Sequence, residues 1–421
     1  MVLPEVKETD AITKKILNLS YILLPLAFII GNFAINFLVL VIIALGLINY
    51  KNYIFNFKNK KYLKLIFLFF VLIVFFTLLE SINKFNEENI LRSLLFFRYF
   101  FLMCITILII EKGDFYVKTF LASCFIFSFL ISVDLIIQYF LGYNIIGIVK
   151  TESVHISGLF GEEKVAGGYI QRFFLISSLF IGYSLKKNNI FFILIFLIVL
   201  TSILVSGNRM PFISSIIFLI LAIYFFKEYR IKFGSIVVGL IIVFSLLINY
   251  DKNLNGHYQS FSENVKALIP NIKSEIGNKY LELKKTDVSF TNNYHNEITI
   301  KKKDYNVLSQ GSGHSIFYIT AIDIWNDNPL LGQGIRAFRF KCAEKHHLPN
   351  RTCGNHPHNF HLEILINVGL FGLLLITYAF ILMILDGRNL FQKYKKKIIT
   401  KDFFYCFVLS LIIEFFIFKS T

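Results

Sequence analysis

No charged side chain interrupts the stretch IFFILIFLIVLTSILVS, which occupies residues 190–206. A run of this length, without the two-residue alternation of a half-buried strand, is typical of a helix that crosses a membrane. Runs of similar character recur along the chain. They predict eleven transmembrane helices, at residues 17–31, 33–50, 62–79, 91–110, 117–141, 166–185, 190–206, 211–226, 233–250, 360–385 and 403–418. The sequence therefore predicts an all-α integral membrane protein.

The composition agrees with this interpretation. Of 421 residues, 56% are hydrophobic, above the roughly 45–50% of soluble domains, and the mean hydropathy is +0.63. The N-terminal segment does not read as a cleavable signal peptide, because Glu5, Glu8 and Asp10 interrupt it and no small-residue cleavage site follows the first apolar run. We expect the first helix to remain in the protein.

The formal net charge of +16 suggests a nucleic-acid partner only until its distribution is considered. The basic residues fall in alternate loops, and by the positive-inside rule these loops face the cytoplasm. They are Lys7, Lys14, Lys15, Lys51, Lys58, Lys60, Lys61, Lys64, Lys112, Lys118, Lys186, Lys187, Lys227, Arg230, Lys232, Arg388, Lys393, Lys395, Lys396 and Lys397. We therefore expect membrane lipids, and no nucleic acid, to be the partner of this charge.

The same rule divides the chain into three parts. Residues 1–250 form N-terminal transmembrane helices with short outer loops at 143–165 and 206–210, residues 251–359 form one large outer loop, and residues 360–421 form C-terminal transmembrane helices. The first half of the large loop is rich in Lys, Glu, Asn and Ser, which indicates short amphipathic helices or a mobile flap. Its second half, residues 313–340, predicts a helix followed by a hairpin lying on the membrane surface.

Only two of the five cysteines, Cys342 and Cys353, lie in predicted outer loops. Cys104, Cys124 and Cys406 lie within helices, where a thiol behaves as a small apolar group. An oxidising compartment would join the outer pair as a disulfide, whereas two free thiols are the alternative.

Three polar stretches follow one another on the predicted outer side. The first contains SGLFGEEK at residues 157–164, and the second is SGNR at residues 206–209. The third runs from Gly313-His314 through WNDNPLLGQG, residues 325–334, to HPHN, residues 356–359, and a glycine pair at Gly369 and Gly372. Together they resemble the O-antigen ligase and polymerase superfamily over residues 157–372.

This resemblance implies a reaction. Members transfer a glycan from undecaprenyl diphosphate to a sugar hydroxyl, which belongs to lipid A-core in ligases and to a second lipid-linked glycan in polymerases. We therefore expect a metal-independent glycosyltransferase without cofactors. It would lie in the bacterial inner membrane and act at the periplasmic face, in lipopolysaccharide or other polysaccharide biosynthesis.

The resemblance also assigns roles to single residues. His358 is the expected general base, because imidazole has a usable neutral fraction near neutral pH. Arg209 suits the diphosphate, because its planar guanidinium pairs with phosphate oxygens and stays charged. The other expected substrate-binding residues are Arg172, His314, Arg336, Arg339 and Asn359.

Simpler roles exist for the same residues. His358 and Asn359 would also serve as a cap for the following helix, and Arg209 would also be stable reaching towards lipid headgroups. Arg172 and Arg98 lie within predicted membrane helices, so each needs an anionic partner or an aqueous cavity. Either arginine suits the lipid diphosphate or a structural ion pair equally well.

The chain departs from the family pattern in several places. His155 and His314 stand where many ligases have arginine, and Asn367 stands where an acidic residue is frequent. Arg336 and Arg339 are the expected source of the missing charge. The family usually has one more helix beyond the last predicted one, so a truncated C-terminus is one explanation for the odd number.

Two other function classes remain open from the residues alone. Imidazole and thiolate are good zinc ligands, so an outer metal site is one alternative. The spacing does not fit a standard zinc site, and oxidised cysteines would not bind metal. Its candidate ligands are His346, His347, His356, His358, His361, Cys342 and Cys353. A polysaccharide or lipid transporter is the other class, but it should place its polar motifs near the bilayer midplane.

Overall fold

The computed structural model of the protein describes residues 8–54, 60–83, 87–152, 154–185, 188–263, 313–345, 351–393 and 401–415. Within these ranges the fold is all-α, as predicted, with one isolated antiparallel bridge between Tyr143 and Val149. We number the helices α1 Glu8–Ile22, α2 Leu24–Ile30, α3 Asn32–Ile54, α4 Lys61–Asn83, α5 Glu87–Glu111, α6 Val117–Leu141, α7 Ala166–Ser184, α8 Asn189–Val205, α9 Arg209–Phe225, α10 Arg230–Tyr250, α11 252–263, α12 Gly313–Asp327, α13 Ala337–Lys345, α14 Phe360–Lys393 and α15 Lys401–Glu414.

Helix length and composition support a polytopic membrane protein. Among the described residues, six helices are long and apolar enough to cross a membrane, namely α3, α4, α5, α6, α10 and α14. The pair α1 and α2 adds a seventh span if the two are counted as one helix. The helices α8 and α9 and the apolar part of α15 are shorter. The predicted number of eleven crossings therefore stays a prediction.

The bundle has two main packed regions. The larger core joins α6 to α10 with α15, and the smaller one joins α4, α5 and α14. Helix α8 packs against α6, α7, α9 and α10, which explains why residues 190–206 are apolar on every side: a helix surrounded by other helices has no solvent-facing stripe.

Two local predictions were wrong. Residues 17–31 were predicted as one helix, but the chain bends by 49° between α1 and α2, where Pro25 occupies the first turn of α2. A helix followed by a hairpin was predicted within residues 313–340, but the turn after α12 leads into a second helix, α13. The predicted amphipathic or mobile segment of the large loop lies mostly within residues 264–312, outside the described residues.

A break in α14 connects this helix to the turn after α12. Gly369 has a φ of +65°, so the helical hydrogen bonds around it are lost and their backbone groups need other partners. The turn supplies them. Gln333 and Gly334 N–H groups donate to the carbonyls of Ile366 and Asn367 at 2.7 and 2.9 Å, and Leu370 N–H donates to Pro329 O at 2.9 Å.

Candidate functional site

The described parts of the three polar stretches lie at one end of the bundle, which we call the motif end. It comprises the loop between α6 and α7, the tip between α8 and α9, helices α11, α12 and α13, and residues 351–359 before α14. The opposite end carries basic residues paired with acids, such as Lys60 with Glu111 and Lys14 with Asp114. All predicted site residues whose side chains are described lie at or near the motif end.

Asn208 joins the first two stretches. Its side-chain oxygen accepts a hydrogen bond from Gly167 N–H at 2.9 Å, and its amide donates to Lys164 O at 3.0 Å. A Cβ at Gly167 would lie 2.5 Å from Ser206 Oγ and 2.7 Å from Asn208 Oδ1. The close approach therefore requires glycine, and it fixes the start of α7 against the start of α9.

Arg209 is held by a histidine that lies 48 residues later in the chain. Arg209 Nη2 lies 2.8 Å from His257 Nδ1, and Arg209 Nε lies 2.9 Å from His257 Nε2. The same Nε2 lies 3.0 Å from the carbonyl of Gly207. We call Arg209, His257, His155 and Gly207 the Arg209 cluster.

The imidazoles of this cluster are held neutral. Burial lowers the pKa of His257, and Arg209 and His155 lower it further, against the opposing hydrogen bond to Gly207. Burial also lowers the pKa of His155, with Lys164 acting in the same direction. The two rings lie edge to face, 5.2 Å apart. His155 Nδ1 is buried and has no hydrogen-bond partner, and the charges of Lys164 and Arg209 disfavour a proton on this ring, against the opposing effect of Glu152.

Arg172 has an anionic partner. Its Nε lies 3.2 Å from Glu414 Oε1 and 3.3 Å from Oε2, both at the end of α15. About half of the Arg172 side chain is exposed. A Cβ at Gly168 would lie 3.8 Å from Arg172 Nη1 and 3.9 Å from Pro211 Cγ, so this ion pair is next to the helix that begins with Arg209. Of the two alternatives for Arg172, the structure contains the ion pair.

His358 sits in a strained loop directly before α14. It has a φ of +54°, a conformation that costs most residues other than Gly, Asn and Asp about 1 kcal/mol or more. Its N–H donates to His356 Nδ1 at 3.2 Å, and the two rings are 4.2 Å apart. Asn359 is buried, and its side-chain oxygen accepts from Leu362 N–H at 3.0 Å as the cap of α14.

The loop of residues 351–359, which we call the His358 loop, lies along α12. Thr352 N–H donates to Thr320 Oγ1 at 3.2 Å, Arg351 pairs with Asp323, and the His358 ring packs edge-on against Phe317 at 5.1 Å. Burial lowers the pKa of His356. These contacts use one face of α12 to position both histidines.

Cys342 of α13 and Cys353 of the His358 loop form a disulfide, with Cα atoms 5.2 Å apart. The bond ties the second surface helix to the loop that carries His358. The remaining cysteines, Cys104, Cys124 and Cys406, are buried thiols.

Three arginines lie together beyond the turn that docks onto α14. Arg336, which has a φ of +58°, has its pKa lowered by burial and then by the nearby charges of Arg92 and Arg339, while Glu88 and Glu363 oppose the shift. Its Nη1 is buried without a hydrogen-bond partner. Arg92 is paired with Glu88.

The first turns of α14 separate these arginines from the Arg172 side. His361 Nε2 lies 2.9 Å from the carbonyl of Phe415, beside Glu414. Glu363 follows His361 by two residues and therefore lies about 200° around the helix from it. There it is close enough to Arg336 to raise the pKa of this arginine. The His358 loop therefore leads into α14 between the Arg172–Glu414 ion pair on one side and Arg336 with its neighbouring arginines on the other.

A model of a known protein family matches part of the chain. Residues 192–377 match the family model described as O-antigen ligase. This match, over residues 192–377 of the 421, supports the predicted resemblance to the O-antigen ligase superfamily. No curated protein and no solved structure matches the chain. The O-antigen ligase match covers Arg209, the Arg336 region and the His358 loop, so three of the expected site elements lie inside it.

The sequence indicated some residues of this candidate site and missed others. It missed His257, Glu414 and Arg92; of these, an acid in an apolar helix such as Glu414 is a signal that the sequence contained. His314 lies in α12, but its side chain is outside the described residues, as are those of His346 and His347. No group of three or more His, Cys, Asp or Glu side chains suited to a metal occurs among the described residues.

Proposed function

We propose that the protein transfers a glycan from undecaprenyl diphosphate to a sugar hydroxyl at the periplasmic face of the bacterial inner membrane, as an O-antigen ligase. A polymerase of the same superfamily is the alternative. The observation that supports the proposal is that Arg209, Arg172 and the His358 loop lie at the same end of the bundle, where the Arg172–Glu414 ion pair is next to the His361–Phe415 contact of α14. The O-antigen ligase family model matches the chain from residue 192 to residue 377.

In the proposed reaction the acceptor hydroxyl oxygen attacks the anomeric carbon of the donor sugar. The bond from this carbon to the phosphate oxygen breaks, its electron pair leaves with the diphosphate, and the acceptor's proton passes to His358. In-line attack inverts the anomeric centre. The energy comes from the glycosyl phosphate bond, so neither a nucleotide nor a metal is required.

The charges suit these steps. Arg209 is fixed by His257 before any ligand binds, and a preorganised guanidinium stabilises a leaving diphosphate without reorganisation cost during reaction. Arg172 lies close by, but its pairing with Glu414 means that a diphosphate must compete with a carboxylate for it. We therefore give Arg209 the larger share of diphosphate binding.

The position of these groups also bears on the transporter alternative. A carrier should hold its polar binding groups near the membrane midplane, between repeated halves. The expected site residues described here lie at helix ends and in adjoining loops, which favours chemistry at the membrane surface.

The test is the lipopolysaccharide of a strain lacking the protein, together with transfer by purified protein in nanodiscs. A ligase predicts loss of all long chains and accumulation of lipid-linked polymer. A polymerase predicts core carrying a single repeat. An unchanged banding pattern together with no transfer in nanodiscs would exclude both.

A further inference from the structure

A cleft of about 230 Å³ opens at the motif end between α4, α5 and α13. The turn at Gln333 forms its inner wall, and this same turn docks onto the break in α14. The cleft therefore adjoins the helix that carries the His358 loop, on the side opposite to Arg172 and Glu414.

We propose that this cleft binds a sugar ring of the acceptor glycan. The inference rests on the proposed function and adds to it, since it separates an acceptor side of α14 from the donor side formed by α7, α9 and α15. His358, the proposed general base, then lies between the acceptor side and the donor side. This is where the acceptor hydroxyl must meet the anomeric carbon of the donor.

The lining of the cleft suits a sugar. Phe340 is 38% exposed and lines the cleft together with the amides of Asn89 and Gln333 and the hydroxyls of Thr77 and Ser81. An exposed aromatic ring offers an apolar face to the C–H groups of a pyranose. The Ser81 hydroxyl and the Gln333 amide donate to the carbonyls of Thr77 and Ile324, so their oxygens are left to accept hydrogen bonds from sugar hydroxyls.

Charge balance argues for a neutral, polar ligand over an anion. Lys341 in the wall pairs with Glu80, which also lines the cleft. The charged side chains that line the cleft are one basic residue, Lys341, and two acidic residues, Glu80 and Glu344. An anion would gain little net attraction here, whereas a sugar can use both kinds of partner.

The volume limits the size of the ligand. Pockets for drug-sized molecules usually occupy roughly 300–1,000 Å³, and this cleft is smaller. It suits one sugar ring, with the remainder of the glycan extending out of the cleft.

The probe is the oligosaccharide released by mild acid from the lipopolysaccharide of the deletion strain. This material ends in the acceptor sugar whether the protein is a ligase or a polymerase. Its binding to the full-length protein in nanodiscs is measured by calorimetry, and its lipid-linked form is used as acceptor in transfer assays.

We expect Phe340→Ala to weaken oligosaccharide binding and raise the KM for the acceptor about tenfold or more, as for the loss of an aromatic anchor. The KM for the lipid-linked donor should stay unchanged. Phe340→Tyr keeps the ring and should keep binding. Tyr143→Ala is the matched control, since Tyr143 is an exposed aromatic residue at the motif end that does not line the cleft.

Equal oligosaccharide binding by the wild-type protein and Phe340→Ala, or no binding by the wild type at millimolar oligosaccharide, would overturn the acceptor cleft. Binding that depends on Phe340 in a protein without transfer activity would instead refute the proposed reaction and leave the cleft as a glycan site.

Discussion

Arg209 lies against the ring of His257, with Nη2 2.8 Å from Nδ1 and Nε 2.9 Å from Nε2. A neutral imidazole has one acceptor nitrogen and a protonated imidazole has none. With Nε2–H donating to the carbonyl of Gly207, Nδ1 accepts from Arg209 Nη2, and this hydrogen bond exists only while His257 is neutral. Burial lowers the pKa of His257, which keeps the contact intact at neutral pH. The position of Arg209, the residue proposed to bind the diphosphate, is therefore coupled to the protonation of His257.

We predict that donor affinity is constant above about pH 6.5, the ordinary pKa of histidine, and falls as the pH drops through the lowered pKa of His257. Because the folded-state pKa lies below the unfolded one, the stability contributed by the neutral ring is likewise present above about pH 6.5 and lost at lower pH. Binding of undecaprenyl-diphosphate glycan between about pH 7.5 and pH 5 measures the first effect, and thermal unfolding over the same range measures the second.

His257→Gln provides the matched control for this pH dependence. Glutamine keeps an acceptor near Arg209 but does not titrate, so donor binding should lose most of its acid sensitivity while staying within about tenfold of the wild type. An identical pH profile in the variant would assign the titration to another group, with His155 and His356 the next to examine.

The fold was largely predictable from the sequence, because long apolar runs and the distribution of lysines depend only on local composition. The polar stretches were also recognisable, since SGNR and HPHN stand out within apolar surroundings. The partners of these residues were not predictable. His257 reaches Arg209 from α11, and Glu414 reaches Arg172 from α15; such contacts depend on how distant helices pack, which no local pattern records.

Gly369 should tolerate no side chain. Its φ is +65°, and a Cβ would overlap the carbonyl group of Leu330 in the docked turn. We predict that Gly369→Ala costs roughly 3 kcal/mol or more, through backbone strain and loss of the docking hydrogen bonds. Thermal unfolding of purified protein measures the change.

Gly234→Ala is the control for this substitution. Gly234 lies in α10, and a Cβ there meets no atom within 4 Å, so alanine should be neutral or stabilising by up to about 1 kcal/mol. Equal stability of the two variants would mean that the turn at residues 329–334 does not dock onto α14 as described.

The disulfide should stabilise the motif end. Cys342 and Cys353 are separated by 11 positions, and closing a loop of this size contributes about 2–3 kcal/mol in the loop-entropy model. Intact-protein mass spectrometry without reductant should find this pair oxidised, and Cys342→Ser with Cys353→Ser should lower the melting temperature. Two outer thiols that react freely with an alkylating agent would contradict the pairing.

Orientation is tested by labelling with a membrane-impermeant maleimide in intact cells. Glu162 is exposed in the loop before α7 and Lys118 is exposed at the opposite end of the bundle. With Cys104, Cys124 and Cys406 replaced, we expect Glu162→Cys to react and Lys118→Cys to react only after the membrane is opened. The reverse pattern would place the motif end in the cytoplasm and remove the proposed reaction.

The sharpest prediction concerns His358, whose φ of +54° complicates the usual alanine test. Alanine is strained in this conformation, so His358→Ala changes both the backbone and the chemistry. Asparagine tolerates a positive φ and cannot act as a base at neutral pH. His358→Asn therefore keeps the loop beside Asn359 and removes only the proton acceptor.

If His358 is the general base, His358→Asn should lower turnover by roughly 10²–10⁴-fold and leave donor affinity nearly intact, because proton removal matters in the transition state and little in the bound ground state. Arg209→Ala should lower both turnover and donor affinity. Arg209→Lys should keep only part of each, since an ammonium group cannot form the paired hydrogen bonds of a guanidinium. Binding and transfer are assayed separately with protein in nanodiscs. Near-normal transfer by His358→Asn would leave His358 as a structural residue of the α14 start and make His356, whose Nδ1 accepts the His358 N–H, the next candidate base.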